Sequence, residues 1–215
     1  MCAVNYINTI MSIYLPHNDT VFIHIPKTGG TSILHWMQEN FEHEKRGEKH
    51  FDYKMYKKKF GDPTHHFACV RNPYARLLSW FHYMGEQANA RLYAVQQGTL
   101  DKPQPWDKYA YRAYKRGFKT WVREAIHEPA DRIWSFNILQ NQVDWYNTET
   151  VDFVLKTETL DKDFVQVQDW LDCHVPLGHL NKSNHGDYRE QYDFEMKLVV
   201  QKYFEKDLDT FKYIF

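Results

Sequence analysis

The sequence predicts an α/β fold of three layers, a central parallel sheet flanked by helices. Three short apolar runs, at residues 21–25, 67–70 and 151–155, have the length and the β-branched or aromatic content of buried strands. Each is followed by apolar positions at helical spacing: Ile33, Leu34, Trp36, Met37 and Phe41, then Tyr74, Leu77, Leu78, Phe81 and Met84, then Leu160, Phe164, Val167 and Leu171. Strands alternating with helices place a ligand at the carboxyl ends of the strands.

Composition narrows the class. With 43 % apolar and 26 % charged residues, the chain reads as a soluble globular protein, and 215 residues suffice for one domain over 1–215 with a substantial core. Lys plus Arg number 27 against 28 Asp plus Glu, so no global field draws it to nucleic acid or membrane. Aromatics, at 17 %, suit both core packing and stacking on sugar or adenine rings. Cys2, Cys69 and Cys173 lack metal-ligand spacing, and their odd number points to reduced thiols and a cytoplasmic chain. No apolar run approaches the ~20 residues of a spanning helix. Asn5, Asn8 and Thr9 interrupt the start, no basic segment precedes it, and residues 1–19 are read as an N-terminal extension rather than a signal or anchor.

The first strand feeds Pro26-Lys27-Thr28-Gly29-Gly30-Thr31-Ser32. Pro26 cannot donate to a ladder and ends the strand. Gly29 and Gly30 allow a tight turn and close approach to a ligand. Thr31 or Ser32 is expected to cap the helix that follows. Free amides and a helix dipole aimed at one spot, with the charge of Lys27 beside them, make an anion site. An ordinary turn with a solvated lysine is the alternative, but it leaves unexplained six polar or glycine residues packed between two strongly patterned elements. A Walker-type loop is excluded, because no Gly-Lys-Ser/Thr occurs anywhere in the chain.

Residues 42–59 are polar and basic, and most of their lysines fit a solvated face. The second strand, 67–70, runs into Arg71-Asn72-Pro73, with Pro73 suited to a helix start. Residues 85–105, with Gly85, Gly98, Pro103 and Pro105, are expected to form a surface loop of a length that often serves function. From Trp106 an apolar stripe predicts one long helix to residue 126, with Gly117 its weak point, and a polar side carrying Lys108, Arg112, Lys115, Lys119 and Arg123. Residues 134–145 predict a short helix and turn, and 151–155 a further strand followed by Glu158, a candidate helix-capping partner. The last helix is marked by Tyr192, Met196, Val199, Val200 and Tyr203.

The stretch from Ile25 to Ser32 resembles the 5′-phosphosulfate loop of sulfotransferases that use 3′-phosphoadenosine 5′-phosphosulfate (PAPS). Arg71-Asn72-Pro73, with Ser79 eight residues after the arginine, resembles their 3′-phosphate motif. Within that superfamily the pair is most similar to the carbohydrate branch that includes the heparan sulfate 2-O- and 6-O-sulfotransferases and small bacterial relatives.

The resemblance implies a P-loop-like fold and sulfuryl transfer from PAPS to a hydroxyl, on a carbohydrate, releasing adenosine 3′,5′-bisphosphate (PAP) without a metal. It implies that Lys27, Thr28, Gly29, Gly30, Thr31 and Ser32 hold the 5′-phosphosulfate, and that Arg71 and Ser79 hold the 3′-phosphate. The stretch His179-Leu180-Asn181-Lys182-Ser183-Asn184 resembles the loop that closes over the nucleotide, which assigns Lys182 and Ser183 to it. Gln140-Asn141-Gln142-Val143-Asp144-Trp145 is similar to a segment that borders the site. The family's catalytic histidine lies between the two cofactor motifs at the start of a short helix. His50 occupies that place, with His43, His65 and His66 as rivals. A magnesium-dependent kinase and a non-catalytic sulfated-glycan binder are the competing classes.

Overall fold

The computed structural model describes residues 12–47, 50–104, 106–127, 137–178, 180 and 186–215. The chain runs β1 (Ser12–Leu15), β2 (Thr20–Ile23), α1 (Gly30–Asn40), β3 (Glu44–Arg46), α2 (Tyr53–Phe60), β4 (His65–Val70) and α3 (Pro73–Gln96). It continues as α4 (Asp107–Arg116), α5 (Phe118–His127), β5 (Phe153–Lys156), α6 (Leu160–Asp163), α7 (Val165–Trp170), α8 (Phe194–Tyr203) and α9 (Glu205–Phe211). Two compact units result, one from the described residues of 1–71 and 142–182, the other from those of 72–141 and 183–215.

The first unit holds a five-stranded sheet in the order β3-β1-β2-β4-β5. The expected parallel sheet is its β2-β4-β5 part, with Phe22 beside Phe67 and Ala68 beside Val154. The sheet as a whole is mixed, because β1 runs antiparallel to both β2 and β3. Only a short 3-10 turn at Pro16–Asn18 and Asp19, at φ 52°, separates β1 from β2, and so short a connection permits only an antiparallel hairpin. Asp19 then accepts from the Thr64 amide and hydroxyl, which ties the hairpin to the start of β4. β3 carries Glu44, Lys45 and Arg46, a charged edge strand that no apolar pattern announces.

Side chains alternate across a strand, so Ile13, Leu15, Phe22, Phe67, Cys69 and Leu155 pack as one cluster with Ile33, Leu34, Trp36 and Met37 of α1, Leu160 of α6, and Phe164 and Val167 around α7. α2 uses Tyr53 and Tyr56: the Tyr53 ring lies 4.5 Å from that of His66, and the Tyr56 hydroxyl accepts from Arg46 at 3.3 Å.

The second unit packs α3, α4, α5 and α8 around Leu77, Leu78, Phe81, Phe118, Trp121 and Met196. The loop expected over 85–105 is helical as far as Gln96. Gly85 is a contact point rather than a breaker, since a Cβ there would fall 2.1 Å from the Tyr114 ring. Beyond it, residues 86–96 are mostly good helix formers, and Gly98, at φ 68°, follows the end of the helix. The single helix expected from Trp106 divides at Gly117, whose φ is 91°. The third parallel strand sits slightly later than expected, at Phe153–Lys156, and the helix after it divides into α6 and α7. The helix marked by Met196, Val199, Val200 and Tyr203 is α8, and beyond Phe204 a further helix, α9, follows it. In the segment expected as helix and turn, residues 134–136 lie outside the described residues, and Gln142–Asp144 form a 3-10 turn.

Candidate functional site

β2 ends at Ile23, and residues 24–29 carry the chain to α1. Lys27 (φ 69°) and Gly29 (φ 80°) take left-handed conformations two residues apart, which curls the loop back on itself. The buried Thr28 hydroxyl donates to the Ile25 carbonyl at 2.9 Å, pinning the curl from inside. The helix begins earlier than expected. Gly29, not Thr31 or Ser32, is the N-cap, and it makes no side-chain cap bond. Thr31 and Ser32 therefore lie in the first turn, where the Ser32 amide donates to the Gly29 carbonyl at 3.1 Å and the amides before it, at the start of a helix, favour an anion. The Ser32 oxygen accepts from the Leu180 amide at 2.9 Å, a bond that uses its lone pair and not its proton. Lys182 and Ser183 lie outside the described residues, as do His179, Asn181 and Asn184.

Arg71 follows β4. Its Nη1 donates to the Lys27 carbonyl at 3.3 Å, which sets the cation of the second motif against the loop of the first. Its backbone is held by Gln142, which accepts from the Arg71 amide at 2.9 Å and donates to the Arg71 carbonyl at 2.8 Å. At the end of β5 the Thr157 hydroxyl lies 2.8 Å from the Thr28 carbonyl and 3.0 Å from the Val70 carbonyl, so one proton is shared between the loop before α1 and the end of β4. Gln142 was visible only as part of a segment bordering the site, and Thr157 only by its place at a strand's carboxyl end.

In the second unit Asn72 caps α3, accepting from the Tyr74 amide at 3.1 Å, with Pro73 in the first turn as expected. Ser79 lies buried on the same helix.

His50 precedes α2, which is capped by Asp52 accepting from the Met55 amide at 2.8 Å; the helix starts at Tyr53, whose amide donates to the Trp145 carbonyl at 2.7 Å. The backbone at His50 is left-handed, with φ 66°. Its Nδ1 lies 3.3 Å from the His24 carbonyl, its ring 4.9 Å from that of His24, and the ring of Trp145 stands edge-on at 6.5 Å.

The rival histidines are engaged in local structure. His65 donates from Nδ1 to Asp152 at 3.0 Å, and the other oxygen of Asp152 accepts the His66 amide at 2.8 Å. His66 is buried against Tyr53, and burial lowers its pKa despite the nearby Asp152 carboxylate. His43 Nδ1 lies 3.0 Å from the Phe41 carbonyl. Of the four, His50 is the one seen against His24, which opens the loop between β2 and α1.

Glu158 is exposed in the 3-10 turn after β5, and the local capping falls to Asp163, which accepts from the Lys156 amide at 3.0 Å and the Thr159 hydroxyl at 2.7 Å. Cys69 is a core residue: burial pushes its thiol up to about 12, too high for a nucleophile at neutral pH. Among the described residues no group of three or more His, Cys, Asp or Glu side chains could hold a metal ion, and no helix is long and apolar enough to cross a membrane.

The family model described as "Sulfotransferase family" matches residues 11–214. No curated protein matches the chain, and no solved structure does.

Proposed function

The chain belongs to the sulfotransferase family, and on that premise we propose that it moves a sulfuryl group from PAPS to a hydroxyl of a carbohydrate, with His50 as the base. The observation that carries this reading is the meeting of three functional groups at the ends of β2 and β4. Lys27 and the first turn of α1 form a curled cationic loop, Arg71 donates to that loop, and His50 touches the residue that opens it.

The donor set fits the nucleotide. A left-handed turn, a helix N-terminus and a lysine suit a phosphosulfate, with one negative charge on its phosphate and one on its sulfate, while a guanidinium fork suits a phosphate monoester. The amides of Thr28, Gly29, Gly30, Thr31 and Ser32 hold the 5′ end, with the Thr31 and Ser32 hydroxyls. Arg71 and Ser79 are assigned to the 3′-phosphate, Ser79 by its motif alone, and Lys182 and Ser183 to the closing loop on the same basis. PAPS, when bound, supplies an activated sulfuryl group together with its own leaving group. Lys27 balances the negative charge that grows on the bridging oxygen. His50 takes the proton of the acceptor hydroxyl, a role that imidazole commonly fills. The family match spans both compact units, which supports reading 1–215 as one sulfotransferase domain. The odd, unpatterned cysteines support a reducing, cytoplasmic setting.

Calorimetry with PAP and with ATP plus magnesium, followed by a screen of glycans with radiolabelled PAPS, tests the reading. Sub-millimolar binding of PAP, no comparable binding of ATP, and label transfer that persists in EDTA are expected. ATP binding with strict magnesium dependence would replace this reading with a kinase. Binding of neither nucleotide would leave a glycan-binding module.

A further inference from the structure

We infer that His24 is a positioning residue that couples the base to the cofactor loop: its carbonyl sets the tautomer of His50, and its ring links the position of Gly30 to that of His50. The inference rests on the reading of His50 as the base.

His24 is the first residue after β2, anchored through Ile23, which pairs with Ala68 of β4. Its ring is buried between the ring of Phe22, at 5.9 Å, and that of His50, at 4.9 Å. A carbonyl oxygen has no proton to give. With Nδ1 of His50 at 3.3 Å from the His24 oxygen, the proton of a neutral His50 ring belongs on Nδ1 and the lone pair on Nε2. Nε2 is then the atom that takes the proton from the acceptor. As the O–H bond breaks and the Nε2–H bond forms, the ring becomes an imidazolium while Nδ1–H stays on the His24 carbonyl. That hydrogen bond strengthens as its donor becomes charged.

The other side of His24 meets the loop. A Cβ built on Gly30 would fall 2.2 Å from His24 Cδ2 and 2.6 Å from Nε2, so the ring lies flush against the first residue of α1. His50 itself is held in a left-handed conformation that a non-glycine residue adopts at a cost of about 1–2 kcal/mol, so its neighbours must keep it there. A shift of the α1 N-terminus is thereby passed through one ring to the base. Transfer needs reacting atoms aligned within a fraction of an ångström, and this contact keeps proton acceptor and cofactor loop in register.

Two measurements test it. In two-bond 15N–1H correlation spectra of histidine-labelled protein, with His50→Ala supplying the assignment, neutral His50 is expected to show a protonated Nδ1 and an unprotonated Nε2. This reading needs only the unmodified chain for its outcome, so it stands even if a His24 variant does not fold. In a double-mutant cycle, Gly30→Ala should lower kcat about tenfold more in the native background than in His24→Ala, because removing the ring removes the collision; PAP affinity is followed in parallel. An Nε2–H tautomer, or additive losses in kcat, overturns the inference. If instead His50→Ala keeps full turnover, it is the base assignment that fails, and the spectra still report whether His24 sets the tautomer.

Discussion

Gln142 grips the backbone of Arg71 from both sides, accepting from its amide at 2.9 Å and donating to its carbonyl at 2.8 Å. A side-chain amide offers the same donor and acceptor as a peptide group, so Gln142 stands in for a neighbouring strand just where β4 has ended. Arg71 is thereby fixed at its Cα before its guanidinium reaches Lys27. Replacing Gln142 with Ala removes both partners of a half-buried peptide unit. We expect a stability loss of roughly 1–3 kcal/mol in chemical denaturation, with PAP affinity reduced as well. Undiminished PAP affinity in the folded variant would show that the clamp does not serve the site.

Arg71→Ala removes a charge-assisted donor from the proposed cofactor site. A loss of roughly 1.5–3 kcal/mol in PAP binding by calorimetry is expected. Arg71→Lys should recover only part of it, because an ammonium keeps the charge but not the planar fork. Unchanged PAP binding in Arg71→Ala takes the residue out of the site.

Thr157→Val keeps the shape but deletes the hydroxyl shared by the carbonyls of Thr28 and Val70. A loss of about 1–2 kcal/mol in stability and a weaker PAP complex are expected, with Thr157→Ser close to native. If Thr157→Ser is the damaged variant and Thr157→Val stays close to native, the methyl group and not the hydrogen bond matters there.

What the sequence reveals and what it hides follows a physical line. β2 and β4 are legible because buried parallel strands are continuous apolar runs, and the loop between β2 and α1 because glycines and a lysine interrupt two clear patterns. β1 and β3 are not. β3 carries Glu44, Lys45 and Arg46 and so has no apolar signature, while the apolar Ile13, Tyr14 and Leu15 of β1 lie in the stretch read as an N-terminal extension and join the sheet only through a hairpin. Gly85 misleads because a glycine that admits a neighbouring ring reads the same as one that breaks a helix. Gln142 and Thr157 act on partners 71 and 87 residues away, a pairing that only the folded sheet creates.

His66 predicts a pH dependence of stability. Burial lowers its pKa in the folded state below the usual value near 6.5, while Asp152 and Asp62 oppose the shift and His65 adds to it. Above that usual value the ring is neutral in both states and contributes nothing. As pH falls through it, the unfolded chain takes up the proton first, so folding is destabilised down to the lower folded value. The slope from one such proton is at most about 1.4 kcal/mol per pH unit. His82, whose pKa burial also lowers, acts in the same direction. Denaturation curves between pH 5 and 7.5 should therefore flatten in His66→Phe, and an unaltered slope would assign the effect elsewhere.

The assignment of His50 is separable from all of these. His50→Ala should leave PAP affinity nearly unchanged, because the base meets the acceptor and not the nucleotide. Turnover should fall by about 10²–10⁴-fold, the usual contribution of a positioned base. His65→Ala and His66→Ala should behave oppositely. The first loses a contact to Asp152 and the second a ring packed on Tyr53, so they cost stability and keep most of the turnover of whatever protein folds. His43→Ala, remote from these strand contacts and set against the Phe41 carbonyl, serves as the third control. Stability and turnover measured on the same four variants decide the matter. A dead His65, His66 or His43 variant beside a working His50→Ala would move the base to that residue and leave the contact between His50 and His24 a purely structural one.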